Sequence, residues 1–188
     1  MAKQFFTKWR FFYNYEKETV WLNKMAQEGY LLVDYWWTRY TFEKGIPGSY
    51  VYALEFLEHM HTHPESQQYI AFLEEMGVEV VGRYMHWISV RKKTEDGPLE
   101  LYTDTASQIE KLNRISKWWI SFSILEFSIG LFELMLSIFT AISGETHSVF
   151  PFTTFVLLTF FGFVFLLQAI PLLYKKKQLQ AKSNIYEK

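Results

Sequence analysis

The chain has 188 residues, of which 20% are aromatic and 21% charged, and it contains no cysteine. Without cysteine there are no disulfides, thiolate metal sites or cysteine nucleophiles. Residues 1–110 carry 11 Lys and Arg against 16 Asp and Glu, a net −5, whereas residues 111–188 carry 8 against 4, a net +4. An acidic first part repels phosphate backbones, so no nucleic-acid partner is predicted.

An internal repeat organises the first part of the chain. The segment that begins at Trp21 aligns with the one that begins at Tyr69, at an ungapped offset of 48 residues. In each copy a helical segment ends at a glycine, Gly29 or Gly77, and a strand of about a dozen residues follows. The other aligned pairs are Leu22 with Ile70, Met25 with Leu73, Leu32 with Val80, Trp36 with Tyr84, Tyr40 with Ile88, Phe42 with Val90, and Lys44 with Lys92.

Two aromatic runs, KWRFFYNY and SYVYALEFL, precede the two helical segments and read as further strands. The element order is then βαββαβ, with a reversal at KGIPGS between the second and third strands. We therefore predict an α+β, ferredoxin-like domain over residues 1–104, with one four-stranded antiparallel sheet and both helices on one side.

The stretch VDYWWTRYTFEKG, residues 33–45, places large aromatics on both faces of a strand. Strict alternation puts Tyr35 and Trp37 on one face, and Trp36 with Tyr40 and Phe42 on the other. Both sets are apolar, so the pattern does not decide which face meets the helices. An open face would need a cover: a second copy of the domain, residues Phe5 and Phe6, the membrane-proximal helix, or a ligand. The predicted ligand- or partner-binding residues are Tyr35, Trp37, Met85 and Trp87, with Val81 beside them.

The segment EHMHTHPE, residues 58–65, holds His59, His61 and His63 at alternating positions. On an extended segment all three would point the same way, a geometry that suits zinc or nickel. Alternating histidines in a polar connector are more often solvated, and the sequence identifies no fourth ligand. No metal site and no cofactor are therefore predicted, and these three residues stay as weak candidates.

Two apolar runs follow, at residues 118–143 and 149–174. Each exceeds the roughly 20 residues that cross a hydrocarbon core, so we predict a transmembrane hairpin in a cell membrane. A connecting helix over 105–117 precedes the hairpin, and a basic tail over 175–188 follows it. The lysines and arginines lie on these two flanks and none lies in the GETHS connector, which predicts that both termini are cytoplasmic and contact anionic lipids. The first residues show no secretory signal pattern, so the first domain should stay in the cytoplasm.

Glu126 and Glu133 lie within the first span, two helical turns apart and so on one face. A carboxyl at membrane depth costs about 2.5–3.5 kcal/mol on insertion scales, so it usually faces protein or water. In an antiparallel hairpin Gln168 lies at the depth of Glu126 and could donate to it, whereas no such partner is apparent for Glu133. Two alternatives stay open: polar contacts in a homo-oligomer or with a cationic amphiphile, or protonated glutamates that the bilayer tolerates.

Four stretches carry a family resemblance: EKETVWLNKMAQEGYLL, RYTFEKGIPGSYVYALEFL, YIAFLEEMGVEVVG and LELYTDTASQIEKL. In this order they resemble the bacterial family named domain of unknown function 2812, over roughly residues 9–115. A pair of carboxy-terminal membrane spans is a common companion of that domain. Members are often encoded beside regulators similar to the PadR transcription factors, which implies a role in sensing or signalling and such a regulator as a partner. No functional residues are carried over.

No glycine-rich phosphate loop, nucleophile elbow or convincing carboxylate pair is found in the sequence. The predicted function is therefore a non-enzymatic, membrane-tethered sensing or regulatory binding module. The alternative is a small oligomeric transporter or membrane-stress responder that uses the intramembrane glutamates.

Overall fold

A computed structural model of the chain describes residues 5–102, 104–143 and 149–186. The chain divides into two compact units, Met1–Leu101 and Tyr102–Lys188. The predicted GETHS connector, residues 144–148, lies outside the described residues.

The first unit is an α+β structure that consists of the same four elements twice. Each half has the order strand, helix, strand, strand, and forms its own three-stranded antiparallel sheet. The first sheet has the order β1-β3-β2 and the second β4-β6-β5. The elements are β1 Phe5–Trp9, α1 Tyr15–Gln27, β2 Tyr30–Trp36, β3 Arg39–Lys44, β4 Tyr50–Phe56, α2 Pro64–Glu75, β5 Glu79–Tyr84 and β6 Trp87–Lys93.

The predicted ferredoxin-like order is therefore corrected to six strands in two sheets. Each run of about a dozen residues that we expected to be one strand is a hairpin. The chain reverses at Trp37 in the first copy and at Met85 in the second, with φ of 53° and 52°. Few non-glycine residues adopt this left-handed conformation, and neither Trp nor Met is typical there, so the residue types did not indicate a turn.

The 48-residue repeat is confirmed by the structure. Trp37 and Met85 are equivalent positions, and so are the two helix-ending glycines, Gly29 with φ 82° and Gly77 with φ 77°. The strand register shifts between Leu32 and Asp34 in the first copy. It shifts at the equivalent place, between Val80 and Gly82, in the second.

Helix α1 lies between the two sheets and contributes to the larger core. Its buried residues Leu22, Met25 and Ala26 pack with Leu32, Tyr40 and Phe42 of the first sheet and with Tyr52 and Leu54 of the second. Helix α2 covers the opposite face of the second sheet through Ile70 and Leu73, which pack on Ile88 and Val90. The second sheet thus has a helix on each face.

The second unit contains two long helices, α3 Thr105–Ile142 and α4 Val149–Tyr186. The predicted connecting helix and first span are one continuous helix, and the basic tail continues α4 to Tyr186. Both helices are long and apolar enough to cross a membrane. The two helices pack closely. The Ser123 hydroxyl of α3 donates to the Gly162 carbonyl of α4 at 2.9 Å, and Gly130 of α3 lies against Thr159 of α4.

Candidate functional site

One face of the first sheet points away from α1 and carries large exposed aromatics. We call this surface the outer face; it consists of Phe5, Thr7, Trp9, Leu31, Asp34, Trp36, Arg39, Thr41 and Glu43, of which Leu31 is buried beside Gly45. Trp9 and Trp36 pair with Arg39 from opposite sides, so the three side chains form a row across the sheet. Trp9 is 68% exposed and Trp36 52%. Large apolar side chains that are exposed next to one another often mark an interaction site.

A β-bulge at Val33 decides which aromatics reach this face. The extra residue breaks the alternation, so Tyr35 follows Leu32 into the core and Trp36 turns outward. Tyr35 is 8% exposed, and its ring lies 5.1 Å from that of Tyr40. The predicted pairing of Trp36 with Tyr40 and Phe42 on one face is therefore wrong.

The equivalent face of the second sheet is buried. Its residues Tyr52 and Leu54 pack against α1. Asn23 of α1 pairs with the edge of β4, because its amide donates to the Tyr52 carbonyl at 2.8 Å and its Oδ1 accepts from the Tyr52 N–H at 2.9 Å. Among the described residues, no element covers the outer face of the first sheet in this way.

The two hairpin turns bring further aromatic groups beside the outer face. The ring of Trp36 lies 6.3 Å from that of Trp37 and 6.1 Å from that of Tyr84. Met85 is also exposed, at the tip of the second hairpin. Of the four residues predicted to bind a ligand or partner, Trp37 and Met85 are thus on the surface, whereas Tyr35 and Trp87 pack in or against the core. Their binding role stays a prediction.

The charges of the outer face are arranged beside the tryptophans. Arg39 Nη2 donates to Asp34 Oδ2 at 2.8 Å, and both side chains are accessible to solvent. The Nε–H of Arg39 is buried and donates to no acceptor in the part of the chain that the structure describes. The face therefore combines apolar rings with the Arg39–Asp34 ion pair, a composition typical of protein interfaces.

A buried carboxyl lies on the other side of the same sheet. Glu18 of α1 is 7% exposed, and Tyr40 donates its hydroxyl to Glu18 Oε1 at 2.8 Å. Burial raises the pKa of Glu18 to about 7, although the hydrogen bond from Tyr40 acts to lower it. The sequence interpretation missed Glu18, whose spacing from Leu22 and Met25 is that of the buried face of a helix.

The three candidate histidines do not act as one group. His61 turns away, and its Nδ1 lies 3.0 Å from the Met85 carbonyl. His59 and His63 instead meet Glu65, and the possible metal-ligating atoms of these three residues all lie within 4.8 Å of one another. Glu65 occupies the next alternating position, and it was missed because it belongs to the first turn of α2 and not to an extended segment.

The intramembrane candidates lie in α3 and α4, and all three side chains are partly buried. Oε2 of Glu126 is buried and has no hydrogen-bond partner among the residues described. The donation from Gln168 to the Glu126 carboxyl stays a prediction. Glu133 lies two turns further along the same helix.

A comparison with protein families identifies a matching family. The family described as a protein of unknown function, DUF2812, matches residues 14–124. This chain belongs to that family. The DUF2812 region begins at Asn14, the N-cap of α1, so it contains Trp36, Arg39 and both hairpin turns. Trp9 precedes the region, and Glu126 and Glu133 follow it. No curated protein and no solved structure matches the chain.

Proposed function

We propose that this DUF2812 protein is a non-enzymatic, membrane-tethered binding module with a sensing or regulatory role, and that a second copy of the chain binds its outer face. One observation carries the proposal. The same face is covered by α1 in the second sheet, whereas Trp9 and Trp36 of the first sheet are exposed.

A second copy suits this face for physical reasons. Two sheets that meet face to face pack about 10 Å apart and bury the residues of both inner faces. Around a two-fold axis each surface meets itself, so the Trp9–Arg39–Trp36 row would cross its own copy. Tryptophan and arginine are the residues that most often dominate binding energy at interfaces.

The two apolar helices supply the tether in this proposal. The flanking lysines and arginines favour cytoplasmic termini, which would place the first unit of every copy on the same side of the membrane. The PadR-like regulator that the family resemblance implies would be a downstream partner, and it stays a prediction.

Sedimentation of the full-length protein in detergent tests the proposal. We expect the wild type to be a dimer and the double variant Trp9→Ser, Trp36→Ser to be a monomer, because both side chains are exposed and their loss leaves the core intact. The matched control is Phe72→Ser, which removes an exposed aromatic from α2 instead. A monomeric wild type would contradict the proposal, and so would a double variant that stays dimeric.

One observation favours the alternative function, a small oligomeric transporter or membrane-stress responder that uses the intramembrane glutamates. The unpaired Oε2 of Glu126 leaves a carboxyl oxygen in an apolar helix pair without a donor from the described residues, and such groups often mark an ion path or an oligomer contact. If the variant that lacks Trp9 and Trp36 stays dimeric, the dimer contact would lie in α3, the helix that carries Glu126.

A further inference from the structure

The segment that connects β4 with α2 is held in place by backbone hydrogen bonds. The N–H of His61 donates to the Met85 carbonyl at 3.0 Å, and the N–H of His63 donates to the Met60 carbonyl at 2.8 Å. The hydroxyl of Ser66, a buried residue, donates to the carbonyl of His59 at 3.1 Å. The histidine side chains therefore project from a fixed backbone.

Three side chains converge at the start of α2. His59 Nε2 lies 3.2 Å from Glu65 Oε2, and the rings of His59 and His63 have their centroids 4.2 Å apart. The two imidazole rings thus lie beside one carboxylate, and the atoms of all three groups that can bind a metal lie within 4.8 Å of one another. Two neutral imidazoles and one carboxylate are a donor set that zinc prefers.

We propose that His59, His63 and Glu65 bind one zinc ion, or a divalent transition metal of similar chemistry, with water completing the coordination. Ligand atoms lie about 2.0–2.2 Å from zinc, so atoms now within 4.8 Å of one another must draw closer. The side chains of His59 and Glu65 are accessible enough to turn toward a shared ion.

Zinc binding at Nδ1 of His63 would displace one hydrogen bond, whereas binding at Nε2 would keep it. His63 Nδ1 now accepts from the Glu65 N–H at 3.3 Å, as the N-cap of α2. Since Nδ1 is the acceptor, the N–H of this ring is on Nε2. Zinc therefore binds either at Nδ1, in place of the amide, or at Nε2, in place of the proton. The capping bond is long and exposed, so water can replace it.

Calorimetric titration of zinc chloride into the full-length protein, free of affinity tags, tests the site. We expect one zinc per chain. His59→Gln and Glu65→Gln should each weaken binding by about tenfold or more, at least as much as the loss of an outer-shell partner does. The matched control is His61→Gln, which alters a histidine of the same segment that points elsewhere and should leave the affinity unchanged.

A third variant separates ligation from folding. His63→Ser removes the imidazole but keeps a side-chain oxygen that can cap α2, so its circular dichroism should match the wild type while zinc binding falls. Cobalt gives a second readout, because bound Co²⁺ with nitrogen ligands absorbs visible light. Absence of zinc binding to the wild type would overturn the proposal, and equal weakening by His61→Gln would do the same.

Discussion

At the scale of single residues, Glu18 is a carboxyl whose buried environment differs strongly from water. A buried carboxylate is costly unless charges or several donors surround it, and here Tyr40 is the one donor found among the described residues. The folded protein therefore holds the proton on Glu18 up to a pH of about 7, above the ordinary value of 4.5. Below that ordinary value the group is protonated in both states and has no effect on stability.

Folding stability should therefore fall as the pH rises from about 4.5 to 7, because the unfolded chain releases this proton first. Glu18→Gln keeps an acceptor for Tyr40 and removes the charge, so at pH 8 it should stabilise the protein by about 2–3 kcal/mol. This stabilisation of Glu18→Gln relative to the wild type should vanish near pH 4.5. Thermal unfolding of both proteins across this pH range measures it. A stability difference between them that does not change with pH would argue against a buried titrating carboxyl.

At the scale of elements, the repeat and its helices could be predicted from periodicity, since Leu22, Met25 and their equivalents follow a helical spacing. The hairpins could not. The chain reverses at Trp37 and Met85, although neither tryptophan nor methionine is a residue type typical of turns. The bulge at Val33 moves the side chains that follow it in β2 to the opposite face of the strand. A one-residue shift explains why Trp36 is exposed while Tyr35 is buried.

Gly82 of β5 lies against Tyr35 of β2, where the two sheets approach each other. A Cβ added to Gly82 would overlap the Cβ of Tyr35, which is too close to the backbone to move aside. Gly82→Ala should therefore destabilise the protein by about 1–3 kcal/mol. The control is Gln68→Ala on the exposed side of α2, which should cost about 0–0.5 kcal/mol. Chemical denaturation compares the two, and equal losses would contradict this packing.

At the scale of the whole molecule, the sequence predicts the long apolar helices well because length and hydropathy suffice. It does not predict where each helix stops. Residues 105–117 and 175–186, expected to be a connecting helix and a tail, continue the apolar helices without a break. The outer face could not be predicted either, because its exposure depends on which sheet α1 covers.

The absence of cysteine from the natural chain makes one measurement especially direct. Thr41 lies on the central strand of the outer face, and Gln68 is exposed on α2. In membranes that contain the full-length protein, a short bifunctional maleimide should cross-link two copies of Thr41→Cys and leave Gln68→Cys monomeric. A monomeric Thr41→Cys, or equal cross-linking at both positions, would contradict the claim that a second copy covers the outer face.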